Sequence, residues 1–111
     1  MDPKIQACLL DIDQCIDEIF EFIGEKKDFF HYQKDLKTKK AVERNIEIIG
    51  EAIGRILKLD PHFQIDNARS IIGTRNRIIH SYDTISDEII WTIVTRDLTT
   101  LKQEIRKCLR D

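Results

Sequence analysis

Three residues in the second half of the chain, Arg75, His80 and Tyr82, have side chains suited to chemistry on a phosphate group. They lie in the stretch RNRIIHSY, where an otherwise apolar helical pattern carries polar and charged side chains. Arginine offers a planar, permanently charged fork to anions, and histidine exchanges protons near neutral pH. The alternative is structural: a salt-bridged arginine, a histidine favoured by a helix C-terminus and a packing tyrosine. The stretch is therefore either a catalytic site or the polar end of a helix.

The position of Arg75 is unusual for a helix that packs against others. Ile71, Ile78 and Tyr82 follow the spacing of a buried stripe, and Arg75 stands between them where an aliphatic side chain is expected. An unpaired buried charge is costly. Either a carboxylate pairs with the arginine, or this stripe faces a cleft. The acidic line along the preceding long helix supplies three candidate partners: Glu43, Glu47 and Glu51.

Two further residues on this helix bear on the site. Asn76 and His80 are four apart and share a face next to that of Arg75. Arg75 and His80 are separated by about 140° on a regular helix, so they flank one cleft only if the helix ends near His80 or a second copy supplies the other wall. Gly73 costs roughly 1 kcal/mol relative to alanine within a helix. It therefore predicts a close approach by another helix or a ligand.

The remaining sequence predicts an all-α, antiparallel up-and-down bundle of four to five helices. Apolar residues at spacings of three and four indicate helices over about 3–24 and 36–58, and at most a short helix between them. A further helix follows Asp66 through 67–82, and the last follows Ser86. The last helix is predicted to bury Ile90, Val94, Leu98, Leu101, Ile105 and Cys108. Residues 1–111 are expected to form a single domain.

The charge balance limits how the chain can bind nucleic acid. Its 111 residues carry a net charge of −2, so contact with RNA requires a local basic patch or arginines pooled by two subunits. Arg44, Arg69 and Arg77 are candidate RNA-binding residues, with lysines 37, 39 and 40 and Arg55 as a wider basic rim. A solvated helix face explains the lysines equally well.

Several other classes of site are not indicated. Cys8, Cys15 and Cys108 form no CxxC pair and are expected to be reduced core residues. No apolar run is long enough for a membrane span or a signal peptide, so a cytoplasmic location is expected. His31, His62 and His80 are far apart, without a Cys or an acid at ligand spacing, and neither a metal nor a cofactor is predicted.

Arg75, His80 and Tyr82 together spell R-x4-H-x-Y, which resembles the motif of the HepT-like (DUF86) ribonuclease toxins of the HEPN superfamily. The stretch AVERNIEIIGEAIGRI, residues 41–56, is similar to the second long helix of that family. The similarity resumes at residue 71 and continues through Trp91 and the DL…L spacing of 97–101. One departure is Thr99, where relatives commonly have proline; it concerns a helix bend, not the chemistry.

The resemblance implies a HEPN-like homodimer that acts as a metal-independent endoribonuclease on mRNA or tRNA. Arg75 and His80 would be the catalytic pair, Asn76 would support them by orienting His80 or the substrate, and Tyr82 would be the modification site. The protein would be the toxin of a type VII toxin–antitoxin system. Its antitoxin would be an MntA-type nucleotidyltransferase that transfers AMP to the motif tyrosine.

The chemistry agrees with that expectation. RNA carries its own nucleophile, the 2′-OH, so cleavage requires a base, an acid and a cation for the charge on phosphorus rather than a metal. His80 suits the proton transfers, and Arg75 suits phosphate binding and transition-state stabilisation. Two alternatives stay open. One is a non-catalytic helical adaptor that binds a nucleotidyltransferase, and the other is a plain structural dimer.

Overall fold

A computed structural model of the chain describes residues 1–80 and 85–110, and every regular element in those two ranges is helical. The elements are α1 (Pro3–Ile23), α2 (Phe29–Lys34), α3 (Leu36–Leu59), α4 (Ala68–His80), α5 (Asp87–Thr92), a π-helical segment (Ile93–Asp97) and α6 (Leu98–Arg110). The last three follow one another without a break and form one C-terminal helix. The predicted all-α bundle is confirmed.

The two long helices begin where the sequence predicts because aspartates satisfy their free backbone N–H groups. The N–H of Lys4 donates to Asp2 Oδ1 at 2.7 Å, and that of Thr38 donates to Asp35 Oδ1 at 3.2 Å. α1 ends at Gly24, whose φ of +75° is a left-handed conformation that glycine adopts without strain. The bounds of α1 and α3 are therefore set by local sequence.

The last helix follows Ser86 as predicted, but the caps that the sequence predicts at Asp66 and Ser86 are not formed in the described residues. Asp66 does not precede α4 directly; Asn67 does, with φ of +63°. The backbone N–H of Asp66 instead donates to Glu104 Oε2 of α6 at 3.1 Å. Ser86 precedes α5 but makes no capping bond; its hydroxyl donates to the Glu88 carboxylate at 2.7 Å.

The core lies between α1, α3 and the C-terminal helix, and α4 packs on α3 and contributes Ile71 to the core. Fully buried aliphatic side chains from these helices fill it, among them Ile12, Ile16, Ile46, Ile53, Leu98 and Leu101. One polar clamp crosses the core: Asn45 Nδ2 of α3 donates to the Cys15 carbonyl at 3.3 Å and to Glu18 Oε1 at 3.0 Å. A buried amide with two acceptors fixes the register of α3 on α1.

The cysteines occupy positions suited to packing. Cys8 and Cys15 are buried on α1 and no described cysteine forms a disulfide, as the sequence predicts. Burial raises the pKa of Cys15 to about 11, with the nearby Glu18 carboxylate adding to the effect. The thiol is therefore protonated at neutral pH and unreactive. Cys108 is only half-buried, which corrects the prediction that the last helix buries it fully.

The π-helical segment divides the C-terminal helix that the sequence predicts as regular. It adds one residue to a turn and ends two residues before Thr99. Asp97 is consequently turned inward and is 3% exposed, with its Oδ1 accepting from Arg96 Nε at 3.0 Å. The predicted core positions Ile90 and Val94 before the segment and Leu98 after it nevertheless remain buried. The π turn thus keeps one apolar face continuous.

Candidate functional site

The backbone of α4 at Arg75 lies directly against Gly50 of α3. A Cβ atom placed on Gly50 would stand 2.5 Å from Arg75 Cβ and 2.8 Å from Arg75 Cγ. Carbon atoms cannot approach so closely, so glycine is required where the two helices cross. For Gly73 the sequence predicted a close approach by another helix or a ligand. The helix part is wrong, because no described atom outside its own helix lies within 4 Å of a Cβ at that position; Gly73 instead lines a cavity of about 470 Å³.

The guanidinium of Arg75 is held by two neighbours. Its Nη2 donates to Glu51 Oε1 at 3.4 Å, and its Nη1 donates to Asn76 Oδ1 at 3.0 Å. Its Nε is buried with no hydrogen-bond partner in the described part of the chain. The side chain is 26% exposed. Of the three glutamates considered from sequence, Glu51 is the one that pairs with the arginine, and Asn76 contacts Arg75.

Arg75 also faces a surface cleft of about 330 Å³ between α3 and α4. The cleft is lined by Gly50, Glu51, Gly54, Arg55, Lys58, Ile72 and Arg75. The sequence left two alternatives, an arginine paired with a carboxylate and an arginine that faces a cleft, and both are true of Arg75. A guanidinium with some N–H groups held by a carboxylate and an amide, and others free, is preorganised to receive a phosphate.

His80 is exposed at the last position of α4. The negative end of the helix dipole favours a cation there. Arg75 lies opposite Gly50, and Ile72, earlier on α4, lines the same cleft as Gly54 and Lys58, later on α3. The two helices therefore run antiparallel. His80 consequently lies beyond Arg75, toward the N-terminal half of α3. No hydrogen bond joins the Arg75 and His80 side chains in the described residues, and the predicted modification site Tyr82 lies outside those residues.

The three arginines predicted to bind RNA do not form one patch. Arg44 projects from α3 and pairs with Glu47 at 2.8 Å, which partly neutralises its charge. Arg69 and Arg77 line a different cavity, of about 470 Å³, between α4 and the C-terminal helix. Lys58, in the Arg75 cleft, was missed by the sequence interpretation. Its three-residue spacing from Arg55 on α3 is the signal that places both on one face.

Other kinds of site are not found in the described residues. Within 1–80 and 85–110, no cluster of three or more His, Cys, Asp or Glu side chains is arranged to bind a metal ion. Across the same ranges, none of the helices combines the length and the apolar character needed to cross a bilayer.

Comparison with known proteins shows the family of this chain. The family model described as ribonuclease HepT-like matches residues 12–108, a span that includes α3, α4 and the whole R-x4-H-x-Y motif. This chain belongs to the HepT-like ribonuclease family. The family-level prediction made from the motif is thereby confirmed.

Individual relatives match this chain over most of their own length. A candidate RNase of Methanocaldococcus jannaschii is 33% identical over 113 residues, covering 98% of this chain and 92% of that protein. A protein of Thermococcus cleftensis named as a probable ribonuclease HepT is 34% identical over 103 residues, covering 89% of this chain and 90% of the relative. A candidate RNase of Caldanaerobacter subterraneus is 29% identical over 95 residues. No solved structure gives a significant match.

Proposed function

We propose that this HepT-like protein is a metal-independent endoribonuclease in which Arg75 and His80 act on the scissile phosphate. The observation that carries the proposal is the setting of Arg75. Arg75 lies where α3 and α4 cross, at a position that only a glycine at residue 50 leaves open. Its guanidinium is hydrogen-bonded to Glu51 and Asn76 at the edge of an open cleft. A purely structural arginine has no need of such a cleft. The family match supplies the substrate class, RNA.

The reaction follows from these groups. The 2′-OH attacks the adjacent phosphorus as its proton leaves, the bond to the 5′-oxygen breaks, and that oxygen gains a proton. The products are a 2′,3′-cyclic phosphate and a 5′-hydroxyl. Arg75 binds the non-bridging oxygens as negative charge develops on them. His80 transfers a proton, a role its exposed position at the end of α4 permits.

The test is cleavage of a panel of single-stranded RNA and tRNA in excess chelator, with the product ends identified. The expected result is chelator-resistant cleavage that leaves cyclic phosphate ends. Absence of cutting by properly folded, unmodified protein would contradict the proposal. It would favour the alternative, a non-catalytic adaptor that binds a nucleotidyltransferase.

The active form is a homodimer, in which the motifs of two copies share one cleft. Ile79 supports this, because it is an apolar side chain 41% exposed, four residues after Arg75 and adjacent to His80. Placed on one face with Arg75, it gives a second copy an apolar contact at the edge of the candidate site.

Ile79→Glu should convert a dimer to monomers and reduce cleavage by tenfold or more, because a carboxylate cannot be buried there without a partner. Sedimentation velocity at several concentrations gives the assembly state. Leu10→Glu is the matched control, since Leu10 is 53% exposed on α1, away from α4, and should leave the dimer intact. Wild-type protein that stays monomeric at concentrations where it cuts RNA would contradict the shared cleft.

The physiological role that we propose is that of a type VII toxin, silenced when an MntA-type nucleotidyltransferase transfers AMP to Tyr82. The phenolic oxygen attacks the α-phosphorus of ATP, pyrophosphate leaves, and the phenolic proton is released. The added phosphate is an anion two residues from His80 and seven from Arg75. It would compete with RNA for the arginine and block the cleft.

Incubation with ATP and an MntA-type nucleotidyltransferase should add an adenylyl group to Tyr82 and abolish cleavage. Peptide mass spectrometry locates the group. The chain has one other tyrosine, Tyr32, which is 2% exposed and serves as an internal control that should remain unmodified. Tyr82→Phe should prevent the modification. Silencing that persists in this variant would exclude the tyrosine as the switch.

A further inference from the structure

A second cavity continues the Arg75 cleft toward α1. It measures about 450 Å³ and is lined by Lys4, Ala7, Cys8, Asp11, Arg55, Lys58 and Leu59. Arg55 and Lys58 line both cavities. The two cavities therefore adjoin each other at these side chains, and together we call them the α1–α3 groove. It leads from Arg75 across the C-terminal half of α3 to the first turns of α1.

The α1–α3 groove is cationic on a chain that is negative as a whole. Its lining includes four basic side chains, Lys4, Arg55, Lys58 and Arg75, against two acidic ones. Arg75 pairs with Glu51, whereas no ion pair within the described residues engages the other three bases. Another face of α1 differs, because there Lys102 and Arg106 of α6 pair with Asp13 and Asp17 of α1.

The α1–α3 groove has room for the sugar–phosphate backbone of a nucleic acid. Gly50 and Gly54 contribute only main chain to its floor, and nothing described lies within 4 Å of a Cβ on Gly54. Leu59 is 44% exposed at the far end, next to Ala7. Basic side chains that bind phosphates, together with an apolar surface for a base, are what single-stranded nucleic acid requires.

We propose that the α1–α3 groove binds the sugar–phosphate backbone of the RNA on the side of Arg75 opposite His80, with Arg55 and Lys58 as the principal phosphate contacts. The inference rests on the proposed ribonuclease function. The groove and His80 lie on opposite sides of Arg75 because α3 and α4 pack antiparallel, which places His80 toward the N-terminal end of α3. Gly50 and Lys58 are eight residues apart, or about 12 Å along the helix. The groove therefore extends beyond the scissile phosphate.

The test uses His80→Ala protein, so that RNA is bound without being cut, and measures the anisotropy of a fluorescent single-stranded RNA. Adding Arg55→Ala and Lys58→Ala should weaken binding at least tenfold. It should also lower the slope of log Kd against log salt by roughly 1.4, since about 0.7 ion is released per phosphate contact on a single strand.

The matched control, Lys26→Ala with Lys107→Ala, removes the same charge outside the groove. Lys26 follows the end of α1 opposite to Lys4, and Lys107 lies on α6, which packs on another face of α1. This control should change Kd by less than threefold. Equal weakening in both double variants would overturn the groove assignment, because the effect would then be one of net charge. Unchanged RNA binding with loss of nucleotidyltransferase binding would overturn it in favour of a protein partner.

Cleavage assays with His80 restored separate this inference from the proposed function. RNA with neutral methylphosphonate linkages on one side of the cut should be cleaved more slowly than RNA with them on the other. That difference should disappear in Arg55→Ala/Lys58→Ala protein. Normal cleavage with no such asymmetry would overturn the groove and leave the ribonuclease standing. RNA binding that depends on Arg55 and Lys58, without any cleavage, would overturn the ribonuclease function and leave the groove assignment standing.

Discussion

Arg75→Ala and His80→Ala should each lower the rate of RNA cleavage by roughly 10²–10⁴-fold, the range typical of losing a transition-state cation or a proton-transfer group. The fold should survive both changes. His80 is exposed at the end of α4, and the Arg75 guanidinium is bonded to Glu51 and Asn76 rather than to core atoms. Initial rates in chelator measure the first effect, and thermal melting followed by circular dichroism measures the second.

Arg75→Lys provides the sharper comparison at the same site. Lysine keeps the positive charge but lacks the planar fork that can contact Glu51, Asn76 and a phosphate together. Its activity should therefore fall well below that of the wild type while exceeding that of Arg75→Ala. If Arg75→Ala retained full activity in a folded protein, the catalytic role of the arginine would be wrong, and its pairing with Glu51 would be structural alone.

Gly50→Ala should destabilise the protein by roughly 1–2 kcal/mol. Alanine in place of glycine gains about 1 kcal/mol of helix propensity, but overpacking at a close contact costs about 1–3 kcal/mol. The cost of overpacking should lie at the upper end of that range, because a Cβ on Gly50 would be 2.5 Å from Arg75 Cβ, an atom that a change of rotamer cannot move away. The helices must separate, and this moves Arg75. Cleavage should fall together with the free energy of unfolding.

Gly54→Ala is the control, one turn along the same helix. No described atom lies within 4 Å of a Cβ at this position. The same substitution should therefore raise the free energy of unfolding by up to about 1 kcal/mol. Urea denaturation of the two variants beside the wild type measures both values. Equal stabilisation by the two alanines would show that α3 and α4 do not cross at Gly50.

Local sequence predicted the long helices because their determinants are local. The caps at Asp2 and Asp35 and the stop at Gly24 depend on residues within a few positions of each helix end. The pairing of Arg75 was narrowed to three glutamates by the spacing along α3. The choice of Glu51 depends on the register between α3 and α4, which no single helix encodes.

What the sequence did not predict arises from tertiary contacts. Gly73 and Gly50 look alike as mid-helix glycines, and only the crossing of α3 and α4 shows that Gly50 is the crowded one. The π-helical turn keeps the apolar face of the C-terminal helix on the core, and the apolar spacing alone did not reveal it. The packing of α1 on α3 likewise brings Lys4 next to the cavity that Arg55 and Lys58 line, and no local pattern predicts this.

The most direct test of the central claim uses a single deoxynucleotide. Once the cleavage position in an RNA is mapped, that RNA is remade with 2′-deoxyribose only at the nucleotide whose 2′-OH would attack, and both RNAs are incubated with wild-type protein in excess chelator. We expect cleavage at that bond to be abolished, because the nucleophile has been removed. A deoxynucleotide placed instead on the other side of the bond should leave the rate of cleavage unchanged. Undiminished cleavage of the substituted bond would show that another nucleophile acts there, and would contradict the mechanism assigned to Arg75 and His80.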